Sequence, residues 1–186
     1  MPRIDPVTEA QADDETRALL RRLRGRWGKP WNVSSGLANN AAVLEAFIAL
    51  NNCLDRSGLS PEDREVICME MAYSNGCHYC VPAHRLAARE AGVDAGMIER
   101  IAVGKTLEGE SRPAVIQRLT RRLAATKGKL GDEEFQAFLD AGVSTREMIA
   151  VIAEIAHCTI TNYFNRLADT ELDPFLEEYR NPPAAS

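Results

Sequence analysis

Apolar residues recur along the chain at i, i+3 and i+4, the spacing of one helical face, in stretches that a Ser or Asp opens and a Gly closes. Asp94 precedes GMIERIAV and Gly104 follows it. Ser111 with Pro113 opens PAVIQRLTRRLAATK, which Gly128 closes, and Asp132 opens EEFQAFLDA, which ends at Gly142. Ser144 with Glu147 forms a capping-box pattern before MIAVIAEIAH. Period-two segments bounded by turns are absent. The pattern predicts an all-α chain of roughly eight to ten helices.

An internal echo predicts that these helices come in related pairs. Gly58-Leu59-Ser60 matches Gly142-Val143-Ser144 at an offset of 84, and Glu70-Met71-Ala72 matches Glu154-Ile155-Ala156 at the same offset. Further on, Arg85-Leu86-Ala87 matches Arg166-Leu167-Ala168 at an offset of 81. Two copies of a helix–turn–helix unit, differing by a short turn insertion, account for this. Where the first copy has Cys77, Cys80 and His84, the second has Thr161, Phe164 and Asn165, and so reads as scaffold.

Composition narrows the class. At 186 residues, 45% hydrophobic and 26% charged, the chain fits one globular domain whose core needs no disulfide framework, so its five cysteines are available for other roles. The net charge of −5 argues against a general nucleic-acid binder. No apolar run has the length of a membrane span, and the opening MPRIDPVTEAQADDE is acidic where a secretory signal is basic and then apolar. The expectation is a soluble cytoplasmic protein with reduced thiols. The basic flank of RALLRRLRGRWG (Arg17, Arg21, Arg22, Arg24, Arg26) reads as a solvated helix face, and GKPWNVSSGLANN as an irregular connection with Trp31 as packing anchor. The closing NPPAAS is expected to be mobile.

Chemistry concentrates in one segment. Two of the five cysteines and two of the three histidines fall between Cys77 and His84. Ser60-Pro61 starts a helix that Ser74-Asn75-Gly76 stops, and a second begins near Cys77 and ends at Gly92. The Cys77-x-x-Cys80 motif therefore stands at a helix N-terminus, where free N–H groups and the helix dipole stabilise a thiolate. Cysteines at i and i+3 are close enough to join, and His84, at i+4 from Cys80, shares its face. Glu65 lies near the start of the preceding helix, and spacing alone does not bring it to the motif. Pro82 requires either a helix that begins later than Cys77 or a His78 carbonyl bonded to water or substrate.

Three readings compete for this cluster: a redox dithiol, a zinc site completed by residues such as His78, Cys53, Cys68 or His157, and inert packing. Covalent haem attachment is disfavoured because Val81 follows Cys80. Cys53, Cys68 and Cys158 lie in apolar helical runs and read as inert core thiols. Glu70 and Glu154 read as buried or interfacial partners of arginines, His157 as a satisfied structural histidine, and Asn162 and Asn165 as helix cross-links.

The stretch from Leu59 to Val93, with Glu65, Cys77-x-x-Cys80 and His84, resembles the alkylhydroperoxidase AhpD core of the carboxymuconolactone decarboxylase superfamily. The opening RIDPV, the PWN of the connecting loop and the late NYFNRLADTELD resemble its longer peroxidase-related branch. The resemblance implies an all-α fold assembling into trimers or hexamers, and a thiol-dependent peroxidase acting on hydrogen peroxide or an organic hydroperoxide. It implies that Cys80 attacks the peroxide, Cys77 resolves the sulfenic acid as a disulfide, and His84, supported by Glu65, relays the proton. An external dithiol, lipoylated or thioredoxin-like, would reduce the disulfide. Neither cofactor nor metal is required.

The archetype has histidine where this chain has Tyr79, which is counted with Cys80, Cys77, His84 and Glu65 as a candidate catalytic residue although its phenol is a poor proton shuttle at neutral pH; His78, one residue earlier, is expected to face solvent or a subunit interface. Two alternatives remain: a carboxymuconolactone decarboxylase type of lyase, which the dithiol weighs against, and a non-enzymatic redox sensor. One domain over 1–186 is expected, with a redox core at about 40–105 and a cysteine-poor second helical unit at about 130–170.

Overall fold

The computed structural model describes residues 1–180 and is all-helical, as the periodicity predicts. In chain order its helices are α1 (Asp14–Trp27), α2 (Asn32–Leu37), α3 (Ala41–Leu54), α4 (Pro61–Ser74), α5 (Cys80–Glu90), α6 (Ala95–Ala102), α7 (Arg112–Thr126), α8 (Asp132–Asp140) and α9 (Thr145–Ala168). A 3-10 turn over Pro174–Tyr179 follows. No helix among the described residues is long and apolar enough to cross a membrane. The expectation for NPPAAS lies outside the described residues.

Helix α4 is the hub. Every residue from Val66 to Ala72 is buried, because α4 packs against α5, α6, α7 and α9. A helix apolar almost all round can sit only inside a core. One buried cluster joins α4 to α6–α9 through Ile67, Ile98, Ile116, Leu119 and Val151. A second joins α1, α2 and α3 to the start of α5 and to Leu176 of the closing turn.

Helix boundaries mostly follow the local signals. Ser60 and Ser144 each complete a capping box, with Asp63 and Glu147 as the reciprocal partners. Gly131 rather than Asp132 is the cap of α8; Asp132, Glu133 and Glu134 form its first turn, where negative charge meets free N–H groups. The expected irregular connection after Gly28 contains α2, and Trp31 anchors it edge-on to Trp27 and Phe175. On α1, Arg24 and Arg21 pair with Glu9, and Arg26 with Asp55, which is the solvated face expected.

The echo acquires a physical meaning here. The turns before α4 and α9 each place a glycine at positive φ, Gly58 at 105° and Gly142 at 85°. Arg112, at the start of α7, reaches both capping boxes, with Nη2 2.9 Å from Asp63 Oδ2 and 2.5 Å from Glu147 Oε1. The buried carboxylates at matched positions also have their arginines: Glu70 with Arg121 at 2.8 Å, Glu154 with Arg64 at 2.6 Å. Past those positions the copies diverge. The first breaks at Asn75–Gly76 and restarts as α5, whereas α9 runs on to Ala168. The inserted turn is the one that carries the cysteines.

Arg112 therefore supports two helix starts at once. Replacing it with Ala leaves the nearly buried Asp63 without its cation and is expected to cost about 1–2 kcal/mol, lowering Tm by about 3–6 °C. Thermal melts followed by circular dichroism check this; an unchanged Tm contradicts it.

Candidate active site

The α4–α5 turn is built by backbone bonds. The Cys77 N–H donates to the Ala72 carbonyl at 3.0 Å, closing the end of α4. The Cys80 and Val81 N–H groups donate to the Cys77 carbonyl at 3.1 and 3.2 Å. Regular helix begins at Cys80, three residues later than the sequence suggested, with Tyr79 as cap. Pro82 is thereby the third helical residue, where an α-helix has no use for an N–H donor, and the conflict it posed disappears.

Cys77 and Cys80 are joined in a disulfide, their Cα atoms 5.2 Å apart. Both are almost fully buried, but they differ in outlook. Cys80 lines a cavity of about 760 Å³, and Cys77 is not part of its wall. Asn165 of α9 donates from Nδ2 to Cys80 Sγ at 3.4 Å, so one of the two asparagines read as cross-links reaches the motif itself. The other, Asn162, accepts from Asn75 at 2.9 Å.

Glu65 and His84 do meet. His84 Nδ1 donates to Glu65 Oε2 at 2.9 Å, each side chain about one-fifth exposed at the cavity wall. Burial alone would lower the imidazole pKa; the charge and hydrogen bond of Glu65 outweigh it and raise it above the ordinary histidine value. With Nδ1 committed to a carboxylate, Nε2 is the nitrogen left for chemistry.

Tyr79 also lines the cavity, with its hydroxyl already engaged. Its buried hydroxyl donates to Asp173 Oδ2 at 2.5 Å, and Asp173 also accepts from the Asn32 N–H at 3.2 Å. Burial and the Asp173 charge push the phenol far up, so it stays protonated. His78 is exposed, as expected, and its Nε2 lies 3.0 Å from the Thr170 carbonyl. Both residues between the cysteines thus tie the turn to the segment after α9.

Three readings of single residues need correction. Cys53 is exposed, not core. His157 is only half satisfied: Nδ1 bonds Glu154 Oε1 at 3.1 Å, while the buried Nε2 has no partner. Cys68 and Cys158 are buried but are not ordinary packing, since their Sγ atoms lie 2.8 Å apart beside Glu154, on the wall of the cavity that Cys80 faces. The grouping of Cys77, Cys80 and His84 does not form a zinc site, because the two sulfurs are bonded to each other. The metal-capable grouping among the described residues is instead Cys68, Glu154 and Cys158. A polar stripe on α9 (Glu154, His157, Cys158, Thr161, Asn165) was the available signal, as it repeats every third or fourth residue. Trp27, Trp31 and Phe47 supply apolar wall.

Residues 41–107 match the model of the carboxymuconolactone decarboxylase family. Comparison with curated proteins finds no match. Among solved structures, an AhpD-core, uncharacterized peroxidase-related protein from Ralstonia eutropha JMP134 superposes with a TM-score of 0.83 at 19% identity, over 97% of each chain. An uncharacterized peroxidase-related protein from Silicibacter sp. TM1040 gives 0.77 at 22%, over 97% of this chain and 92% of the other. The debrominase Bmp8 gives 0.74 at 19%, over 94% of each, and a variant of it is known in complex with 2,3,4-tribromopyrrole. The likeness at these identities is one of fold, and the fold is AhpD-like.

The His84–Glu65 pair makes a pH prediction. A raised folded-state pKa contributes stability that is full below the ordinary value of 6.5 and is lost as pH rises through the raised midpoint. Histidine proton shifts in NMR should place the His84 midpoint above 6.5, and Glu65→Gln should bring it down. The stability gap between wild type and Glu65→Gln should be widest below pH 6.5 and narrow above the midpoint. A His84 midpoint indifferent to Glu65→Gln contradicts the pairing.

Proposed function

Taking residues 41–107 as a carboxymuconolactone decarboxylase family core within an AhpD-like fold, we propose that this chain is a thiol-dependent oxidoreductase that reduces a hydroperoxide through Cys80 and Cys77. The observation that carries the reading is that Cys80, not its partner, opens onto a cavity whose wall also holds a carboxylate-bound imidazole.

In the reduced chain the Cys80 thiolate, at the positive end of α5, attacks the terminal peroxide oxygen. The S–O bond forms as the O–O bond breaks, and the departing alkoxide takes its proton from His84, whose charged form Glu65 favours. The Cys77 sulfur then attacks the sulfenic acid and expels water, giving the disulfide. An external dithiol, such as a lipoylated or thioredoxin-like protein, restores both thiols by exchange. Asn165 supports the reading as a donor to the Cys80 sulfur. Tyr79 is a positioning residue here, holding the turn through Asp173.

One observation favours a second reading. The cavity is larger than a hydrogen peroxide molecule needs, and Trp27, Trp31 and Phe47 line it, as suits a planar apolar ligand. A dithiol can also replace a carbon–bromine bond by carbon–hydrogen, releasing HBr as two thiols become a disulfide. On this reading the chain acts on a halogenated aromatic, in the manner named for Bmp8.

Assembly with further copies of the chain is part of the proposal. Ile149, Ile152, Tyr163 and Leu167 are all exposed and fall on one long face of α9, a stripe that a second copy would cover.

With a supplied dithiol, Cys80→Ser is expected to abolish peroxide consumption and His84→Gln to lower it by roughly 10²-fold. Full turnover in Cys80→Ser overturns the reading, and bromide release from a brominated pyrrole without peroxide consumption selects the second one. Light scattering on Ile152→Glu/Leu167→Glu should show smaller particles than wild type; equal masses contradict the assembly proposal.

A further inference from the structure

The cavity that Cys80 faces holds two more sulfurs. Cys68 comes from the centre of α4 and Cys158 from the centre of α9, 90 residues apart in sequence, with Sγ atoms 2.8 Å apart. The reaction proposed above uses neither. Polar groups stand beside them. Glu154 Oε1 lies 3.5 Å from Cys68 Sγ and 3.1 Å from His157 Nδ1, while its other oxygen binds Arg64 at 2.6 Å. The His157 ring lies flat on Phe47, centroids 4.5 Å apart, and its Nε2 is buried without a partner.

We infer that Cys68 and Cys158 are a second redox pair, which a hydroperoxide admitted to the cavity converts to a disulfide stapling α4 to α9. The sulfurs need approach by less than about 1 Å to reach the roughly 2.05 Å of a disulfide bond. The surroundings also make the two thiols unequal, as an attacking and a resolving sulfur must be. Burial pushes a thiol up, but at Cys158 the contact with Cys68 and the neighbouring His157 imidazole outweigh it and hold the group below the ordinary thiol range. Cys68, bonded to Cys158 and buried, is pushed well above that range. His157 is raised to about 9, since Cys158 and Glu154 outweigh its own burial. These directions favour an imidazolium beside a Cys158 thiolate, with the second thiol next to them.

The same atoms, Cys68, Cys158 and Glu154, lie within 4.8 Å of one another and so could gather about a soft cation. Charge argues otherwise. Both Glu154 oxygens already meet positive groups, the Arg64 guanidinium and the His157 imidazolium, and a cation would have to displace one of them.

The Cys158 thiolate attacks the terminal hydroperoxide oxygen; S–O forms, O–O breaks, and the leaving alkoxide takes the His157 proton. The Cys68 sulfur then attacks the sulfenic sulfur, S–S forms, and hydroxide leaves with the Cys68 proton as water. Two thiols lose two electrons, and the hydroperoxide becomes alcohol and water. The inference assigns no part to Cys77 or Cys80, so it stands or falls separately from their roles.

The test is a disulfide map of Cys77→Ser/Cys80→Ser, reduced, exposed to hydrogen peroxide, then alkylated under denaturing conditions and weighed. The three remaining cysteines, Cys53, Cys68 and Cys158, should fall to one alkylatable thiol, with a Cys68–Cys158 linked peptide, and dithiothreitol should restore three. In Cys158→Ala, Cys68 should stay alkylatable. If Cys68 and Cys158 remain free while Cys53 oxidises, or both advance to sulfinic acids unlinked, the inference fails. It fails too if one zinc ion per chain protects both thiols and no disulfide forms with peroxide. Should the double variant lose its helical signal, the peptide map of the wild-type chain gives the same readout.

Discussion

A helix that has to stop and restart is the constraint on which the rest of this molecule depends. At Asn75 the backbone leaves α4, Gly76 turns it at a φ of 59°, and Pro82, which has no N–H to offer the His78 carbonyl, disfavours regular helix extending back past Cys80. The restart exposes a helix tip, and Cys77 and Cys80 stand on it. The related copy shows what happens without the break: α9 runs through the equivalent positions without interruption, and no dithiol exists there. The same break ties Tyr79 to Asp173 and His78 to Thr170, and of the motif's two sulfurs it leaves Cys80 on the cavity wall, where Tyr79 also lies.

Around that tip the molecule solves a costly problem, the burial of charge. Glu70, Glu154 and Asp63 are almost fully buried, and each has an arginine at 2.9 Å or less. An unpaired carboxylate in these places would cost several kcal/mol. The pairs are not equal in consequence. Arg121 and Gln117 saturate Glu70, and Arg112 binds Asp63 to two helix starts, which makes both sites structural. At Glu154 the arginine leaves one oxygen for His157 and Cys68, so charge there borders the cavity and can respond to what enters it.

Much of this was legible in the sequence because it is local. Caps at Ser60, Asp94 and Ser144 depend on neighbours within one turn, and the spacing of Cys80 and His84 defines a helix face before any fold is known. The Gly58/Gly142 echo was readable for the same reason, as each glycine answers its own turn. What escaped depends on distant pieces of chain meeting. Cys68 and Cys158 look like core residues in their own helices, and only the packing of α4 on α9 puts their sulfurs together. His157 looked satisfied until Phe47 covered its face and left Nε2 alone. The late start of α5 was constrained by Pro82 but not decided by it, since the alternative was a free carbonyl.

The central claim is that Cys80 is the sulfur that meets the oxidant. It is tested most directly by trapping the sulfenic acid with dimedone, at one equivalent of peroxide, in Cys77→Ser and in Cys80→Ser. The account predicts an adduct on Cys80 in the first variant and none on Cys77 in the second. An adduct forming equally fast on Cys77, or no adduct on Cys80, would contradict it.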